Sequence, residues 1–186
     1  MFGDPAILQS YLFTIGFSIA TVIVVNVVAF LLAVGLTSRV RLRMGLRAVF
    51  VIPMVISGII IAYVFNFLFS NSLPSIGAAV GIPALETSLL ANPDLAWVAI
   101  VIVTAWQASP GTLLIYIAGL LSVPGDVYEA ADLDGASKTQ QLLRITLPLV
   151  AGYVVINVIL GFKGFLNAYD IIVGLTNGGP GTATRS

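Results

Sequence analysis

Four long apolar runs constrain this chain more than anything else in its sequence: Tyr11–Leu36, Ala48–Phe69, Leu95–Leu121 and Pro148 to about Leu166. At about 1.5 Å per helical residue, each reaches roughly 30 Å, the thickness of the hydrocarbon core of a bilayer. One such run could be the buried helix of a soluble domain; four in 186 residues cannot. The chain is 59% hydrophobic and 9% charged. Soluble domains carry roughly 25% charged residues, and no core of this size could hide so much apolar surface from water. The expected fold is therefore all-α, a polytopic membrane helix bundle with spans over about 11–36, 48–69, 95–121 and 148–166.

The polar connections set the orientation. Arg39, Arg41, Arg43 and Arg47 follow the first run, and Lys138 and Arg144 lie between the third and fourth. Residues 70–94 hold Glu86 and Asp94 but no Lys or Arg. Basic residues stay on the cytoplasmic side of a bilayer, so 37–47 and 122–147 are expected in the cytoplasm and 1–10 and 70–94 outside. Lys163 and Arg185 are the two basic residues outside this scheme. The outer connection is rich in Ser, Pro, Gly and Asn, with room for a short interfacial helix that the sequence does not fix. After the fourth run come a short apolar stretch, Ile171–Leu175, and the turn signal "NGGPG".

Several function classes are excluded or disfavoured. Zero net charge argues against nucleic acid as a partner. The chain has no cysteine and no histidine, so disulfides, the commonest metal ligand and imidazole chemistry are absent, and neither a metal nor a cofactor is expected. No acid pair sits at membrane depth, so no catalytic residues are expected and an intramembrane enzyme is disfavoured. No G-x-x-x-x-G-K-[ST] loop is present to cradle ATP phosphates. Met1–Tyr11 carries Asp4 and no basic residue, unlike a signal peptide.

One segment is polar where the rest is greasy: "YEAADLDGASKTQQLLRITLPLV", residues 128–150. Ser122 is placed to cap a helix beginning "VPGDVYEAA", with Pro124 in its first turn and Asp126 near its positive end. Gly135 permits a tight turn or close approach by another chain. Beyond it, Leu142, Ile145 and Leu149 make an apolar stripe, and Pro148 fits the first turn of the next span. The product is a helix, a glycine corner and a second helix, with small residues at 130, 131, 135 and 136 and carboxylates at 129, 132 and 134. Physical reasoning alone leaves two readings open: an ordinary amphipathic loop, or a docking surface for a basic partner.

The segment "EAADLDGASKTQQLLRITLP" closely resembles the EAA loop of bacterial ABC importer permeases. Glu129, Ala130, Ala131, Gly135, Ile145, Leu147 and Pro148 fit that pattern, and Asp134 and Ala136 complete the Asp-Gly-Ala core of its sugar-importing branch. Thr139 and Leu142 stand where that branch often has bulky aromatics. "FVIPMVISGIIIAYVFNFLF", "LLIYIAGLLSVPGDVYEAA" and "NAYDIIVGLTNGGPGTAT" extend the likeness over roughly residues 10–184. The resemblance implies the MetI-like core of an ABC importer permease, without the family's first and last spans. It further implies a multi-pass protein of the bacterial plasma (inner) membrane that does no chemistry itself. The implied partners are a second permease subunit, two ATP-binding cassette ATPase subunits and an extracytoplasmic solute-binding protein, all around a lipid bilayer. The implied cargo is a sugar, or a related polyol or glycerol-phosphate. By the same resemblance Glu129 faces a basic group of the ATPase, Ala130 and Ala131 permit close packing, and Gly135 makes the corner. An importer of amino acids, peptides or an inorganic anion, and a non-energised channel or assembly protein, are the competing readings.

Polar side chains within the spans are costly unless they face a cavity or a partner. Asn26, Asn66, Gln107, Tyr116, Asn157 and Lys163 are the candidates. Gln107, Tyr116, Tyr153 and Asn157 carry the amides, hydroxyls and aromatic faces that suit a carbohydrate path; interhelical hydrogen bonding is the alternative for each. Lys163 either snorkels or pairs with Asp170. Pro53, Gly58, Pro110 and Gly111 act as packing bends or gating hinges. Ala29 and Ala33 form a small-residue pair suited to close helix contact.

Overall fold

The computed structural model describes residues 5–37, 43–82, 87–167 and 169–176, and all its regular elements are helical. Arg39, Arg41, Glu86, Arg185 and the Gly-Gly-Pro turn lie outside the described residues, as do the side chains of Arg43, Arg47, Asp94 and Asp170. The helices are α1 (Pro5–Thr37), α2 (Arg43–Val55), α3 (Gly58–Phe67), α4 (Leu73–Val80), α5 (Pro93–Leu121), α6 (Gly125–Leu133), α7 (Lys138–Gln141), α8 (Leu147–Leu149), α9 (Ala151–Leu166) and α10 (Tyr169–Thr176). Segments Tyr11–Thr37, Gly58–Val80 and Leu95–Leu121 are long and apolar enough to cross a membrane, and the bent pair Lys138–Leu149 and Ala151–Leu166 qualifies as a fourth. The protein is a polytopic membrane helix bundle.

α1 and α5 form its spine and run parallel. Near one end, Phe17, Val22 and Val25 of α1 pack with Ile100, Val101 and Ala105 of α5. Near the other, Ala29, Ala33 and Leu36 pack with Leu113, Tyr116 and Ile117. Ala29 and Ala33 are fully buried, which lets the helix backbones approach as small residues do at membrane interfaces. α9 lies antiparallel to both, with Tyr153 and Val154 at the second cluster and Phe165 at the first. A parallel α1–α5 pair puts Thr37 and Leu121, the helix ends that lead into the two connections expected to be cytoplasmic, on one side of the bundle.

The second apolar run is not one helix. α2 ends at Val55 and α3 starts at Gly58, and helical structure then extends through a π turn, Leu68–Ser72, to Val80. The apolar stretch capable of spanning is thus Gly58–Val80 rather than 48–69. Pro53 supplies no N–H to the α2 ladder. A second π turn, Leu142–Thr146, precedes α8. Both π turns end two residues before a proline, Pro74 and Pro148. The widened turn accommodates a ring that would clash with the carbonyl four residues earlier and that offers no donor. Pro148 therefore lies in the first helix of the bent pair, and the second begins at Ala151 after a 65° bend.

Candidate functional site

Two places have the geometry for function: the elbow at 122–150 and a cavity where the helices break.

The elbow is built on a left-handed glycine. Gly135 has φ +75°. The Ala136 N–H donates to the Ala131 carbonyl at 2.9 Å and the Gly135 N–H to that of Asp132 at 3.2 Å. This is the Schellman pattern that ends a helix by satisfying its last carbonyls. Ser137 caps α7: its hydroxyl accepts from the Gln140 N–H at 3.3 Å, and the Gln140 amide oxygen accepts from the Ser137 N–H at 2.8 Å. Ser122 does not cap α6. Its hydroxyl donates to the Gly119 carbonyl at 2.7 Å, at the end of α5, because Pro124 occupies the cap position of α6 in an extended conformation.

Side chains tie the two arms of the elbow together. Lys138 donates to Asp132 at 2.8 Å and to Gln141 at 3.2 Å, and the Gln141 amide donates to Asp132 at 2.6 Å and to the Ala136 carbonyl at 3.1 Å. The Lys138 ammonium, then the Gln141 amide, hold the Asp132 carboxyl below its ordinary pKa. Tyr128 and Thr146 hydroxyls meet at 2.9 Å across the elbow. Asp132, grouped above with the carboxylates open to a partner, is thus engaged within the loop. Glu129 and Asp134 remain exposed, with no ion pair among the described residues. Ala131 is buried inside the elbow while Ala130 is exposed. Ile145 is half-buried, whereas Leu147 and Pro148 are exposed. Ala136 is half-buried behind Gly135. Sequence reasoning missed Leu133, which is 90% exposed on the outer face of α6. Its signal was an isolated large apolar residue between two aspartates.

The cavity, ≈380 Å³, lies at the break between α2 and α3. Its wall includes Ser57, Gly58, Thr104, Gln107, Gly164 and Asn167. Gln107 donates to the Ile56 carbonyl at 3.3 Å, a group the helix break has left without its usual partner. The Thr104 hydroxyl is buried with no partner among the described residues. Volume and mixed lining fall in the range of small-molecule sites.

Of the four residues assigned to a carbohydrate path from sequence, only Gln107 lines this cavity. Tyr116 is 1% exposed and its hydroxyl donates to Asn26 at 2.6 Å, joining α5 to α1. Asn157 is 2% exposed and its amide donates to the Thr112 carbonyl at 3.5 Å, joining α9 to α5. The Tyr153 ring covers Gly119, where an added Cβ would stand 2.7 Å from it, and its hydroxyl reaches Ser122 at 3.4 Å. These three are interhelical contacts within this chain. Asn66 donates to the Leu175 carbonyl at 2.5 Å, satisfying the end of α10. Tyr116→Phe is expected to lower unfolding stability by about 0.6 kcal/mol, and by no more than about 1.7 kcal/mol. Thermal unfolding in detergent measures this, and no change would show that the Asn26 contact contributes nothing.

Comparison with known proteins agrees with this architecture. The family model described as "Binding-protein-dependent transport system inner membrane component" matches residues 25–185. The chain is 32% identical over 183 residues to the multiple sugar-binding transport system permease protein of Streptococcus mutans, covering 98% of this chain and 63% of that one. It is 35% identical over 174 residues to the trehalose/maltose transport system permease protein of Thermococcus litoralis, covering 93% and 59%. A chain from the crystal structure of a bacterial ABC transporter involved in import of the acidic polysaccharide alginate superposes with a TM-score of 0.86 at 19% identity, over 99% of this chain and 65% of that one. The chain thus spans a little under two thirds of the length of these relatives.

Proposed function

This chain belongs to the family of binding-protein-dependent transport system inner membrane components, and from that premise we propose that it is a permease subunit of an ABC importer for a sugar or a related polyol or glycerol-phosphate. It works in the bacterial plasma membrane with residues 37–47 and 122–147 on the cytoplasmic side. A second permease subunit completes the path, two ATPase subunits drive it, and a solute-binding protein delivers cargo from outside. The permease itself does no chemistry.

The observation that carries this reading is the elbow. A membrane bundle has no structural need for a polar corner locked by a Schellman turn, a capping box and a three-membered side-chain network. Such a corner holds one surface rigid: Glu129, Ala130, Leu133 and Asp134, all exposed. An acid rim around an exposed leucine on a small-residue face suits insertion into a cleft with basic walls. Rigidity matters because force from a motor is transmitted only through parts that do not yield.

The cavity supplies the path. Ser57, Thr104, Gln107 and Asn167 present hydroxyls and amides, the groups that hydrogen-bond a sugar, and the helix breaks around it free carbonyls for the same purpose. The names of the relatives support sugar as cargo. Gln107→Ala is expected to cut sugar uptake by the reconstituted importer about tenfold, the worth of one lost hydrogen bond to a buried polar group, while complex assembly is unchanged. Unaltered uptake would remove Gln107 and this cavity from the path. Uptake of amino acids or peptides instead of sugars would change the cargo but keep the importer.

A further inference from the structure

Lys163 is the only charged residue in α1, α3, α4, α9 and the part of α5 from Leu95 onward. Its depth follows from the antiparallel register of α9 on α5. Tyr153 lies over Gly119, Asn157 reaches the Thr112 carbonyl, and Phe165 shares the cavity wall with Thr104. Lys163 is therefore level with about Trp106, roughly 16 Å from Leu95 and roughly 22 Å from Leu121 along the helix axis. A lysine stem of about 6 Å does not reach either end of α5 from there. The side chain is exposed, on the face of α9 away from buried Asn157 and Phe165. Lipid at that depth is a costly neighbour for an ammonium, so this face meets either water in a path or an acid on another element. The cavity is walled by the residues around Lys163 (Gly164, Phe165 and Asn167) rather than by Lys163 itself. Asn167, which lines that cavity, donates to the Lys163 carbonyl at 2.9 Å, and Gly164, the next residue, lines it too.

We propose that Lys163 stands at the rim of the translocation path and selects for negatively charged cargo: a sugar or polyol bearing a carboxylate, phosphate or sulfonate that pairs with the ammonium as it passes. This rests on the reading of the chain as a sugar-importing permease and narrows it to anionic members of that class. The hydroxyls and amides at Thr104, Gln107 and Asn167 would hold the neutral part of the same solute.

The test uses the complete importer, with its second permease, ATPases and binding protein, in proteoliposomes. It is offered a hexuronate disaccharide and glycerol 3-phosphate, and their uncharged counterparts, a neutral hexose disaccharide and glycerol. The wild type should import at least one anionic probe faster than its counterpart. Lys163→Gln should lower that import about ten- to a hundredfold, the range for losing a hydrogen bond to a charged group, and leave neutral uptake unchanged; Lys163→Arg should restore most of it. Preference for the neutral probes by the wild type would overturn the proposal while leaving sugar import standing. So would equal loss of both classes in Lys163→Gln, or the same loss in Asp170→Asn, because either marks a structural ion pair. If Lys163→Gln fails to assemble, the wild-type preference and the Lys163→Arg variant decide. Import of none of the four probes would instead count against the sugar-permease reading itself.

Discussion

Replacing Gly135 with valine is expected to leave the helices inserted and packed but to abolish ATP-driven uptake. The effect is conformational rather than steric. A Cβ at this position would meet no atom within 4 Å, but the backbone has φ +75°. A β-branched residue is strongly disfavoured there, with a cost of roughly 1–2 kcal/mol or more. The chain would relieve that strain by leaving the left-handed region. The Ala136-to-Ala131 and Gly135-to-Asp132 bonds would then be lost, and α6 would swing away from α7. Nothing in the clusters between α1, α5 and α9 depends on this corner, so the bundle should survive. Asparagine tolerates the left-handed region, and Gly135→Asn should keep most of the uptake. Proteoliposome uptake alongside detergent thermal unfolding separates the outcomes. Normal uptake by Gly135→Val would remove the elbow from coupling.

Leu133→Asp should have a comparable effect by a different route. Leu133 is 90% exposed, so its substitution costs this chain almost nothing on folding. In a complex, a leucine buried in a partner's cleft contributes about 1.5–3 kcal/mol, and a carboxylate in its place adds a desolvation penalty. The expected result is ATPase affinity weaker by about a hundredfold or more, with the membrane bundle unchanged. Co-purification of the ATPase from detergent measures it. Full retention would mean that the leucine lies outside the docking surface, and that the acidic rim acts without an apolar centre.

Much of this was legible in the sequence, for identifiable reasons. Runs without charge announce spans whatever their packing, so Tyr11–Thr37 and Leu95–Leu121 emerge close to their expected bounds. The Gly135 corner was legible because a left-handed turn has few residues to choose from. What failed were inferences about partners. Ser122 carries the right chemistry for a helix cap, but which helix end it serves depends on where Pro124 sets the start of α6. The Ser137–Gln140 capping box was readable as an S-x-x-Q spacing and went unread behind the glycine. For Tyr116, Tyr153 and Asn157 the sequence left a sugar path and interhelical bonding both open, because amides, hydroxyls and aromatic faces serve either use; the structure shows the contacts they make between helices of this chain. The break before Gly58 moved the second span by some ten residues, since proline signals an interruption but not which side of it stays in the apolar passage.

Single-cysteine cross-linking tests the coupling claim most directly, and the chain contains no native cysteine to confuse it. Glu129→Cys in the assembled importer should react with a membrane-impermeant maleimide only in inside-out vesicles, and a short bifunctional reagent should join it to an ATPase subunit. Labelling from the external face, or reaction from inside without any ATPase adduct, would contradict the assignment of this elbow as the point where the motor grips the permease.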